Sequence, residues 1–382
     1  MGFRQNDLDH IVVGAGAVGT STAYHLSGTP GRTLVLERFH ENHAFGSSHG
    51  GTRILRTAYA EGSAYVPLVL RARRLWKRLG QEAGNEIFRP TGVLLAGPSK
   101  SNQLASARAS ARRFALPHET FDVERAQKRF SAFQFGRGDG VLWDPGGGVL
   151  FPERAIRAYR RLAHESGVSF RWSSPVIRWR SRSDGKIVVS TAAREYITQN
   201  LILSAGAWLS GLVPDLQLPL NVEQQTVYWF RPREGPRAPY RSMPAFVWYN
   251  ARGGYYYGTP DVGDGVKIGG CEGQPVRNLT QRPPSSTREF RAVRRFAAER
   301  LPGLSGKPRR QARCLYTNTP DKNFIVDFHP ESRNVLLVSA CSGHGFKFAS
   351  AMGELVAETV TTGKLSPLLA PFALSSQGNQ RP

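Results

Sequence analysis

Residues 10–38 read HIVVGAGAVGTSTAYHLSGTPGRTLVLER, in which short apolar runs alternate with glycine-rich turns. The run at 11–13 is short and β-branched, which predicts a buried strand. Apolar residues then recur at helical spacing up to about Leu26, and Thr33–Leu36 predicts a second strand. This stretch therefore predicts a strand, a glycine turn, a helix and a second strand in close succession.

The three glycines of the turn have the spacing of a dinucleotide-binding unit. In that unit the position of Gly14 gives a tight turn, that of Gly16 lets a pyrophosphate approach the backbone, and that of Gly19 lets helix and strand pack closely. Glu37 ends the second predicted strand at about the spacing expected for an acid that accepts from ribose hydroxyls. The residues therefore predict a bound dinucleotide. They leave its identity open, because Arg38 would suit a 2′-phosphate that Glu37 would repel.

Composition limits the class of protein. The chain has 382 residues, of which 40% are hydrophobic and 10% aromatic, enough for two domains or one elaborate domain with a substantial core. It contains no apolar run of about 18 residues and no apolar signal region at its start, which predicts a cytoplasmic protein that does not span a membrane. Its three cysteines, Cys271, Cys314 and Cys341, have neither disulfide-framework nor zinc-type spacing, so we expect no metal site.

The formal net charge of +22 could indicate a nucleic-acid partner. However, many of the basic residues recur at helical spacing around apolar residues, in segments 71–78, 154–162 and 288–301. That pattern is typical of solvated helix faces. We therefore expect no nucleic-acid function, although the charge would favour an anionic substrate.

A segment rich in glycine, serine and histidine, FGSSHGGTRILR, spans residues 45–56. Its glycines indicate a close approach of the backbone to another group. Arg53 and Arg56 are three residues apart and are predicted to share one face of a helical turn, where forked guanidinium donors would suit an anion. Taken alone, both arginines could equally be surface residues.

Later segments repeat the logic of the first unit and then depart from it. Residues 152–167 predict a helix, residues 169–179 a strand, and residues 196–204 an apolar strand followed by small residues and a helix, which suggests that the first sheet is rejoined. Short alternating strands with turn signals predict a second, antiparallel sheet; they span residues 218–229, 245–249, 254–257 and 265–269.

The predicted fold class is therefore α/β with two discontinuous domains. A Rossmann-like, doubly wound dinucleotide-binding domain is expected from residues 1–86, 149–216 and 320–374. An antiparallel-sheet substrate domain is expected from residues 87–148 and 217–319, followed by a polar tail at 375–382.

The sequence resembles the monomeric sarcosine oxidase family of FAD-dependent amine oxidases, which includes N-methyltryptophan and pipecolate oxidases. Four segments carry the resemblance: the glycine unit at 14–19, SSHGGTRILR at 47–56, CLYTNTPD at 314–321 and SGHGFKF at 342–348. FIVD at 324–327 and YYG at 256–258 also match, so the similarity runs from about residue 9 to 370.

The resemblance implies FAD held covalently through the sulfur of Cys314, although the residues alone would also allow a buried, inert thiol. It implies a set of cofactor-binding positions: Gly14, Gly16, Gly19, Glu37, Arg38, Thr52, Val176, Cys314 and Gly345. It implies catalytic positions around the flavin: His49, Arg53, Tyr257 and the oxygen-activating Lys267. It implies substrate-binding positions, of which Arg56 and Lys347 hold a carboxylate: Arg56, Tyr316, Gly343 and Lys347. From spacing alone, Lys267 could instead face outward on an edge strand and Lys347 could lie on a solvated helix face.

The activity that the resemblance implies is oxidation of a secondary amino acid, sarcosine first, with O₂ as acceptor and glycine, formaldehyde and H₂O₂ as products. The family name implies a monomer.

Three departures leave the specificity open: Cys271 replaces a family histidine, Ser48 replaces the first histidine of a Ser-His-His run, and Cys341 replaces a larger apolar residue. The alternative substrates are N-methyltryptophan, pipecolate or a biosynthetic intermediate. A nicotinamide-dependent dehydrogenase and a basic binding protein without turnover are the alternative classes.

Overall fold

The computed structural model of the chain describes residues 7–233 and 238–374, so the predicted tail at 375–382 lies outside the described residues. The α-helices are α1 (Ala17–Leu26), α2 (Tyr65–Ala83), α3 (Asn102–Arg113), α4 (Val123–Arg129), α5 (Pro152–Glu165), α6 (Ala238–Ser242), α7 (Thr287–Arg300) and α8 (Ala349–Thr362). The strands of the first half are β1 (Asp7–Val13), β2 (Thr33–Leu36), β3 (Arg53–Leu55), β4 (Phe88–Arg89), β5 (Val93–Pro98), β6 (Glu119–Phe121), β7 (Asp139–Asp144), β8 (Gly148–Leu150), β9 (Ser169–Arg171), β10 (Val176–Ser181) and β11 (Ile187–Thr191). The remaining strands are β12 (Glu195–Leu203), β13 (Asn221–Pro232), β14 (Ala245–Tyr249), β15 (Tyr255–Thr259), β16 (Val266–Gly270), β17 (Gln274–Pro275), β18 (Leu304–Asn318), β19 (Ile325–His329) and β20 (Ser332–Ser339).

The first sheet is built on five parallel strands in the spatial order β9-β2-β1-β12-β20. In chain order these are the third, second, first, fourth and fifth strands, which is the arrangement of a doubly wound nucleotide-binding sheet. β19 adds an antiparallel edge to β20, and the β10–β11 hairpin pairs with the first half of β12. The predicted doubly wound fold is confirmed.

Both faces of this sheet are buried, because alternate residues of each strand point to opposite sides. Val12 packs with Val35 and Ile202 into the core that includes helices α1, α2, α5 and α8. Ile11 and Val13 belong to a separate core on the other face, which the β10–β11 hairpin completes. This explains why the run at 11–13 is apolar throughout instead of alternating.

The glycine turn between β1 and α1 has the conformation that the spacing predicts. Gly14 has a φ of +99°. A Cβ atom on Gly19 would lie 1.8 Å from the carbonyl oxygen of Gly14, so only glycine allows α1 to approach the turn this closely. Gly16 is the N-cap of α1 and supplies no side chain to its backbone N–H groups. Gly16 itself therefore caps none of the first N–H groups of α1, and the N–H of Ala17 donates instead to Oγ of Ser48 at 3.3 Å.

The second sheet has the order β18-β13-β16-β15-β14-β5-β7-β6, and short β17 also pairs with β13. Its pairs are antiparallel, as predicted, except that β14 runs parallel to β5. The exception follows from chain order, since β5 and β14 are joined by a long connection and not by a hairpin.

One face of the second sheet is apolar and the other is not. Phe246, Ile268 and Phe230 point into a core shared with α7 and α4. Their neighbours in sequence, among them Lys267 and Trp229, therefore point to the opposite face. β16 lies between β13 and β15, so Lys267 is on an interior strand and only 2% exposed. The edge-strand alternative for Lys267 is wrong.

Two local expectations are corrected by the structure. Residues 169–179 form two strands and not one, β9 and β10, which lie at opposite ends of the first sheet, and Ser173 between them has a φ of +50°. The helix expected after Ser204 is present as the 3₁₀ helix Gly206–Leu212. Arg53 begins strand β3 and Arg56 follows its end, so the predicted helical turn is absent from this described segment.

β3, β8 and β4 form a third, small antiparallel sheet in that order. Every strand of the first large sheet falls in segments assigned to the FAD-binding domain, and every strand of the second falls in segments assigned to the substrate domain. The exact domain boundaries stay a prediction. Across residues 7–233 and 238–374, no helix combines the length and apolar character needed to cross a membrane.

Candidate active site

A cavity of about 1390 Å³ runs from the glycine turn of the first sheet to the exposed face of the second. Roughly 300–1,000 Å³ is typical of pockets for drug-sized ligands, so this cavity has room for a larger molecule. All predicted site residues except Gly19 line it. Residues from positions 13 to 349 are thus brought together at one place.

The start of α1 forms one end of the cavity. The side chain of Glu37 accepts a hydrogen bond from the backbone N–H of Ala15 (2.8 Å) and another from that of Phe39 (3.0 Å). Burial would raise the pKa of Glu37, but His43 and these N–H groups outweigh burial and lower it. Arg38 and Val176 line the same end, and Arg38 stacks on the ring of Trp208 at 5.0 Å. This end combines N–H donors of a helix start with an ionised carboxylate, which suits a phosphate and a ribose respectively.

Cys314 lies on the wall formed by the second sheet and is 2% exposed. Its Sγ is 3.5 Å from Nη2 of Arg53 and 4.0 Å from Nδ1 of His49. Burial opposes ionisation of the thiol, but the charge of Arg53 and the contact with His49 prevail and lower the pKa of Cys314 to about 6. The thiol is therefore a nucleophilic thiolate near neutral pH, in contrast to an inert buried cysteine.

His49 and Arg53 are held by the same loop. Arg53 donates to the carbonyl oxygens of Thr52 (2.8 Å) and Ser47 (2.7 Å). Nε2 of His49 is buried and has no hydrogen-bond partner among the described residues. Since both side chains line the cavity, the free nitrogen is available to a ligand.

Lys267 is anchored by the backbone of this loop. Its Nζ donates to the carbonyl oxygen of Gly50 (3.2 Å) and to that of Thr52. An ammonium has three N–H groups, so one remains for a ligand in the cavity. Burial, and next the charge of Arg53, hold the pKa of Lys267 well below its usual value.

A row of side chains crosses three strands beside Lys267. Lys267 of β16 is the register partner of Trp229 of β13, and Trp229 is the register partner of Arg310 of β18. The guanidinium of Arg310 lies 3.8 Å from the centre of the Trp229 ring and Nζ of Lys267 lies 5.8 Å from it. The indole therefore separates the buried lysine from the arginine, whose other partner is Asp264 at 2.6 Å.

The next row toward Cys314 has small side chains. Gly269, Val227 and Ala312 are register partners on the same three strands. Val227 and Ala312 line the cavity, whereas the ring of Tyr257 covers Gly269, where an added Cβ atom would lie 2.7 Å from that ring. Between the Lys267 row and Cys314, the wall thus has a shallow recess over Val227 and Ala312 that would accept a planar ring beside the thiol.

Arg56 lies beyond the recess and is 6% exposed. It forms an ion pair with Glu61, lies within 3.4 Å of the hydroxyl of Tyr249 and stacks on the ring of Tyr59 at 4.6 Å. Burial disfavours the charge of Arg56, but Glu61 raises its pKa. Desolvation in the cavity would raise the pKa of Glu61, but the charge of Arg56 lowers it to about 2. Arg56 is thus a permanent cation whose present partner is a carboxylate of the same chain.

Lys347 faces the same part of the cavity and is 6% exposed, so the solvated-face alternative is wrong. Its Nζ donates to the carbonyl oxygen of His344 (2.7 Å) and contacts the hydroxyl of Tyr59 (3.5 Å). The hydroxyl of Tyr59 is 2.7 Å from Nδ1 of His344. Burial, and then the charge of Arg56, lower the pKa of Lys347 to about 7. Lys347 can therefore gain or lose its charge near neutral pH.

Tyr257 and Tyr316 project from adjacent regions of the same wall, and their hydroxyls are 3.1 Å apart. Burial raises the pKa of both phenols, so both stay protonated. Gly343, which has a φ of +77°, lies against the Tyr316 ring, and Gly345 opens the 3₁₀ turn Gly345–Phe348 that carries Lys347. These groups surround the space between Cys314 and the Arg56–Lys347 pair.

Sequence reasoning missed several residues that line the cavity: Glu61, Glu153, Tyr249 and Tyr255. It also missed Tyr59, which contacts Arg56 and Lys347. The two tyrosines on β14 and β15 had a signal, since strict alternation with the buried Phe246 and Tyr256 places Tyr249 and Tyr255 on the opposite face. Glu61 and Glu153 had no such signal. Glu153 is brought to the site by partners distant in sequence, and Glu61 by a turn without a recognisable pattern.

The departures from the family pattern lie in different places. Cys271 is behind the wall, outside the cavity lining, where its sulfur accepts from the backbone N–H of Tyr255 at 3.2 Å. Cys341 lines the cavity and accepts from the backbone N–H of Thr317 at 3.4 Å. The described residues contain no group of three or more histidine, cysteine or acidic side chains that could hold a metal ion.

The cavity fits a flavin dinucleotide on its own geometry. The start of α1 and Glu37 match a pyrophosphate and a ribose at one end. At the other end, the recess of small residues lies between a thiolate and a buried lysine. The predicted cofactor-binding residues, apart from Gly19, line the cavity that a long ligand with a planar ring would occupy.

Comparison with known proteins agrees with this geometry. Residues 9–359 match the model of a family described as FAD dependent oxidoreductase. Monomeric sarcosine oxidase of a Bacillus species is 37% identical over 380 residues, which cover 96% of each chain. Monomeric sarcosine oxidase of Streptomyces avermitilis is 35% identical over 364 residues, covering 93% of this chain and 94% of the relative. N-methyl-L-tryptophan oxidase of Citrobacter koseri is 35% identical over 374 residues, covering 96% of this chain and 98% of the relative.

Solved structures share the fold at lower identity. An amino acid oxidase essential for nikkomycin biosynthesis, NikD, superimposes with a TM-score of 0.84 at 20% identity, covering 97% of this chain and 98% of that one. Glycine oxidase of Geobacillus kaustophilus superimposes with a TM-score of 0.81 at 20% identity, covering 97% and 99%. The predicted resemblance and fold class are confirmed.

Proposed function

This chain belongs to the family of FAD-dependent oxidoreductases, and from that membership we propose that it is an oxidase of secondary amino acids, with sarcosine as the first substrate. The proposal rests on one observation: a cationic pair, Arg56 and Lys347, lines the same cavity as the recess beside Cys314. A carboxylate held by that pair would present the neighbouring N–C bond to the recess. Placement of this kind is most of what a flavin reaction requires from a protein.

The proposed reaction is oxidative N-demethylation: sarcosine, O₂ and water give glycine, formaldehyde and H₂O₂. Bound FAD supplies the redox chemistry, since it accepts two electrons from the amine and passes them to O₂. The chain holds the carboxylate with Arg56 and Lys347. Tyr257 and Tyr316, which stay protonated, border the reacting carbon and nitrogen without acting as bases. No acid–base pair of side chains is needed at the amine.

Cys314 is the proposed point of covalent attachment. Attachment replaces the thiol S–H bond and one methyl C–H bond of the ring by a C–S bond, and the two electrons and two protons released pass through the flavin to O₂. The low pKa of the thiol, caused by Arg53 and His49 against the effect of burial, supplies the thiolate that this step needs.

Lys267 is the proposed site of oxygen activation. When protonated, its anchored amine places a positive charge at the edge of the recess, where negative charge would develop as electrons pass to O₂. Arg53 and His49 would contribute to the same field while also contacting the thiolate.

Acid precipitation of the purified protein tests the attachment, and peroxide release tests the reaction. We expect the yellow chromophore to stay in the pellet, and to move to the supernatant in Cys314→Ala. We expect sarcosine to give equal amounts of formaldehyde and H₂O₂, whereas glycine, its demethylated counterpart, gives neither. A protein that lacks yellow colour even after FAD is added, or that turns over NAD(P)H, would refute the proposal.

N-methyltryptophan is the second candidate substrate. N-methyl-L-tryptophan oxidases are among the relatives, at 35% identity. In addition, Tyr249 and Tyr255 extend the tyrosine wall beside Arg56, which would suit a large apolar substituent. The ratio of kcat/KM for the two substrates decides between them.

The cytoplasmic location and the monomeric state are also proposals. All three cysteines are free, which agrees with a reducing compartment. The relatives named monomeric sarcosine oxidase match over almost their whole length. Gel filtration with light scattering tests the monomer.

A further inference from the structure

Glu153 occupies an unexpected place in the cavity wall. It lies in the first turn of α5, and its Oε1 accepts hydrogen bonds from the backbone N–H groups of Gly50 (2.7 Å) and Gly51 (3.0 Å). Both glycines have positive φ, +97° and +75°. The carboxylate therefore fixes a turn in which both glycines have positive φ values, which strands do not use.

The same turn holds Lys267 from its other side. The carbonyl oxygens of Gly50 and Thr52 accept from Nζ of Lys267. Glu153 and Lys267 are thus linked through a single peptide segment, with N–H groups toward the acid and C=O groups toward the lysine. Movement of Glu153 would move the acceptors that place the ammonium.

Glu153 also belongs to the set of charges that faces Lys267. That set comprises Arg53 on β3, Cys314 and Arg310 on β18, and Glu153 on α5. Burial would raise the pKa of Glu153, but the N–H groups of the turn and the charge of Arg53 lower it, so the carboxylate is ionised. Arg310 is paired with Asp264 at the surface. Before attachment, two anions, the Cys314 thiolate and Glu153, therefore balance two cations, Arg53 and Lys267.

Attachment of the flavin would change this balance. When Sγ of Cys314 forms its bond to carbon, the thiolate charge disappears, while Arg53 and Lys267 keep their positions. Glu153 would then be the single remaining anion in the set that faces Lys267 among the described residues. Because an unbalanced buried cation readily gives up its proton, the lysine would depend on Glu153 to stay charged.

We propose that Glu153 is the positioning residue of the oxygen reaction: it keeps Lys267 in place and protonated once Cys314 has been consumed by the cofactor. The inference rests on the proposed function, since it requires the thioether and an oxidase. It assigns a role to a residue outside the family motifs of the sequence. It also explains why an ionised acid is placed behind the glycine turn and contacts only backbone N–H groups there.

The test uses the holoenzyme and Glu153→Gln, whose amide oxygen can still accept from Gly50 and Gly51. Stopped-flow spectroscopy would give the rate of anaerobic flavin reduction by sarcosine and, separately, the rate of reoxidation by O₂ between pH 6 and 10. Reoxidation should fall as pH rises, because the charged lysine promotes it. In E153Q we expect the midpoint of that fall to move down by about one pH unit, so that reoxidation on the sloping part is about tenfold slower. Reduction should stay within about twofold, as the variant leaves the substrate cations intact.

Glu153→Asp is the matched control. It keeps the charge but shortens the side chain, so we expect the midpoint of the wild type even where the rate at its plateau is lower. If E153Q fails to retain flavin, E153D is compared with E153A instead. A wild-type midpoint of reoxidation in E153D and a lowered midpoint in E153A would support the role of the charge. An unchanged midpoint in a flavin-loaded E153Q or E153A overturns the inference while leaving the oxidase proposal intact. If acid releases the flavin from the wild-type protein, Cys314 forms no thioether. The inference is then overturned by the acid test and not by the pH midpoint.

Discussion

Arg56 forms its ion pair with Glu61, a carboxylate five residues further along the chain and on the same cavity. The side chain of Glu61 is 33% exposed, whereas that of Arg56 is 7% exposed. The buried cation is therefore fixed and its anionic partner is at the accessible end. A substrate carboxylate that binds Arg56 would have to displace Glu61, so this acid competes with the substrate.

Replacement of Glu61 by Gln should strengthen carboxylate binding. The variant removes a competitor for Arg56 and leaves the two cations of the site unopposed. A charge-assisted hydrogen bond contributes ~1.5–3 kcal/mol, so we expect the Kd of a simple carboxylate such as acetate to fall by about tenfold. The change in the flavin absorption spectrum during a titration with acetate gives this Kd. Weaker binding in E61Q would indicate that Glu61 instead holds Arg56 in its productive position.

Carboxylate binding should weaken as pH rises through the pKa of Lys347, which lies at about 7. The sign follows from the charge: below that pKa the lysine is a cation that attracts the ligand, and above it the lysine is neutral. Acetate keeps its charge from pH 6 to 9, so its Kd reports on the protein alone. We expect Kd to rise by about tenfold per pH unit at the steepest part.

Lys347→Met supplies the control for this titration, because it removes the titrating group and keeps a similar shape. The Kd in K347M should be high at every pH and nearly flat between pH 6 and 9. Arg56 stays charged in this range and cannot produce the slope. A slope that persists in K347M would assign the titration to another group.

Attachment of FAD should depend on Arg53. The guanidinium is 3.5 Å from Sγ of Cys314 and is the first cause that favours the thiolate against burial. In Arg53→Met the thiol would be largely protonated at neutral pH, so incubation of apoprotein with FAD should give acid-stable flavin at least about tenfold more slowly. Raising the pH should restore part of the rate in R53M. Equal rates in both proteins at pH 7 would exclude the arginine from this role.

Loss of the Lys267 charge should separate the two halves of the reaction. In Lys267→Met, reoxidation by O₂ is expected to slow by at least about a hundredfold, the typical cost of removing one preorganised electrostatic group. Anaerobic reduction should change little, because Arg56 and Lys347 still place the substrate. Stopped-flow measurement of both rates checks this, and equal slowing of both would contradict it.

Much of the site was predictable where local pattern and spatial position coincide. The turn from Gly14 to Gly19 has its own geometric signature, and period-two alternation determines which face of a strand Lys267 occupies. Cys314 and Lys347 were located through a family resemblance. The position of Lys347 in the first turn of a predicted helix favoured its burial, whereas burial of Cys314 was not evident from its neighbours in sequence. The predicted roles of these residues stay predictions that the experiments above address.

The rest could not be predicted because it depends on contacts between distant segments. Arg53 was expected in a helical turn, but its segment is recruited into an antiparallel sheet by β8, nearly a hundred residues later. Glu153 reaches Gly50 because β8, which pairs with β3, leads directly into α5. Residues 169–179 were expected to form one strand, but β9 joins β2 and β10 joins β11, on either side of the sequence Ser173-Ser174-Pro175. Local propensity contains no information on such choices.

The cavity draws its walls from residues scattered between positions 13 and 349, and this has a consequence for the order of events during synthesis. A ribosome releases the glycine turn early, but β1 must wait for β12, and β12 for β20, before the parallel sheet is complete. Lys347 is released after β20. A nascent chain therefore has no enclosed place for the ring of FAD, and capture of the cofactor belongs to the period after the last of these strands has been made.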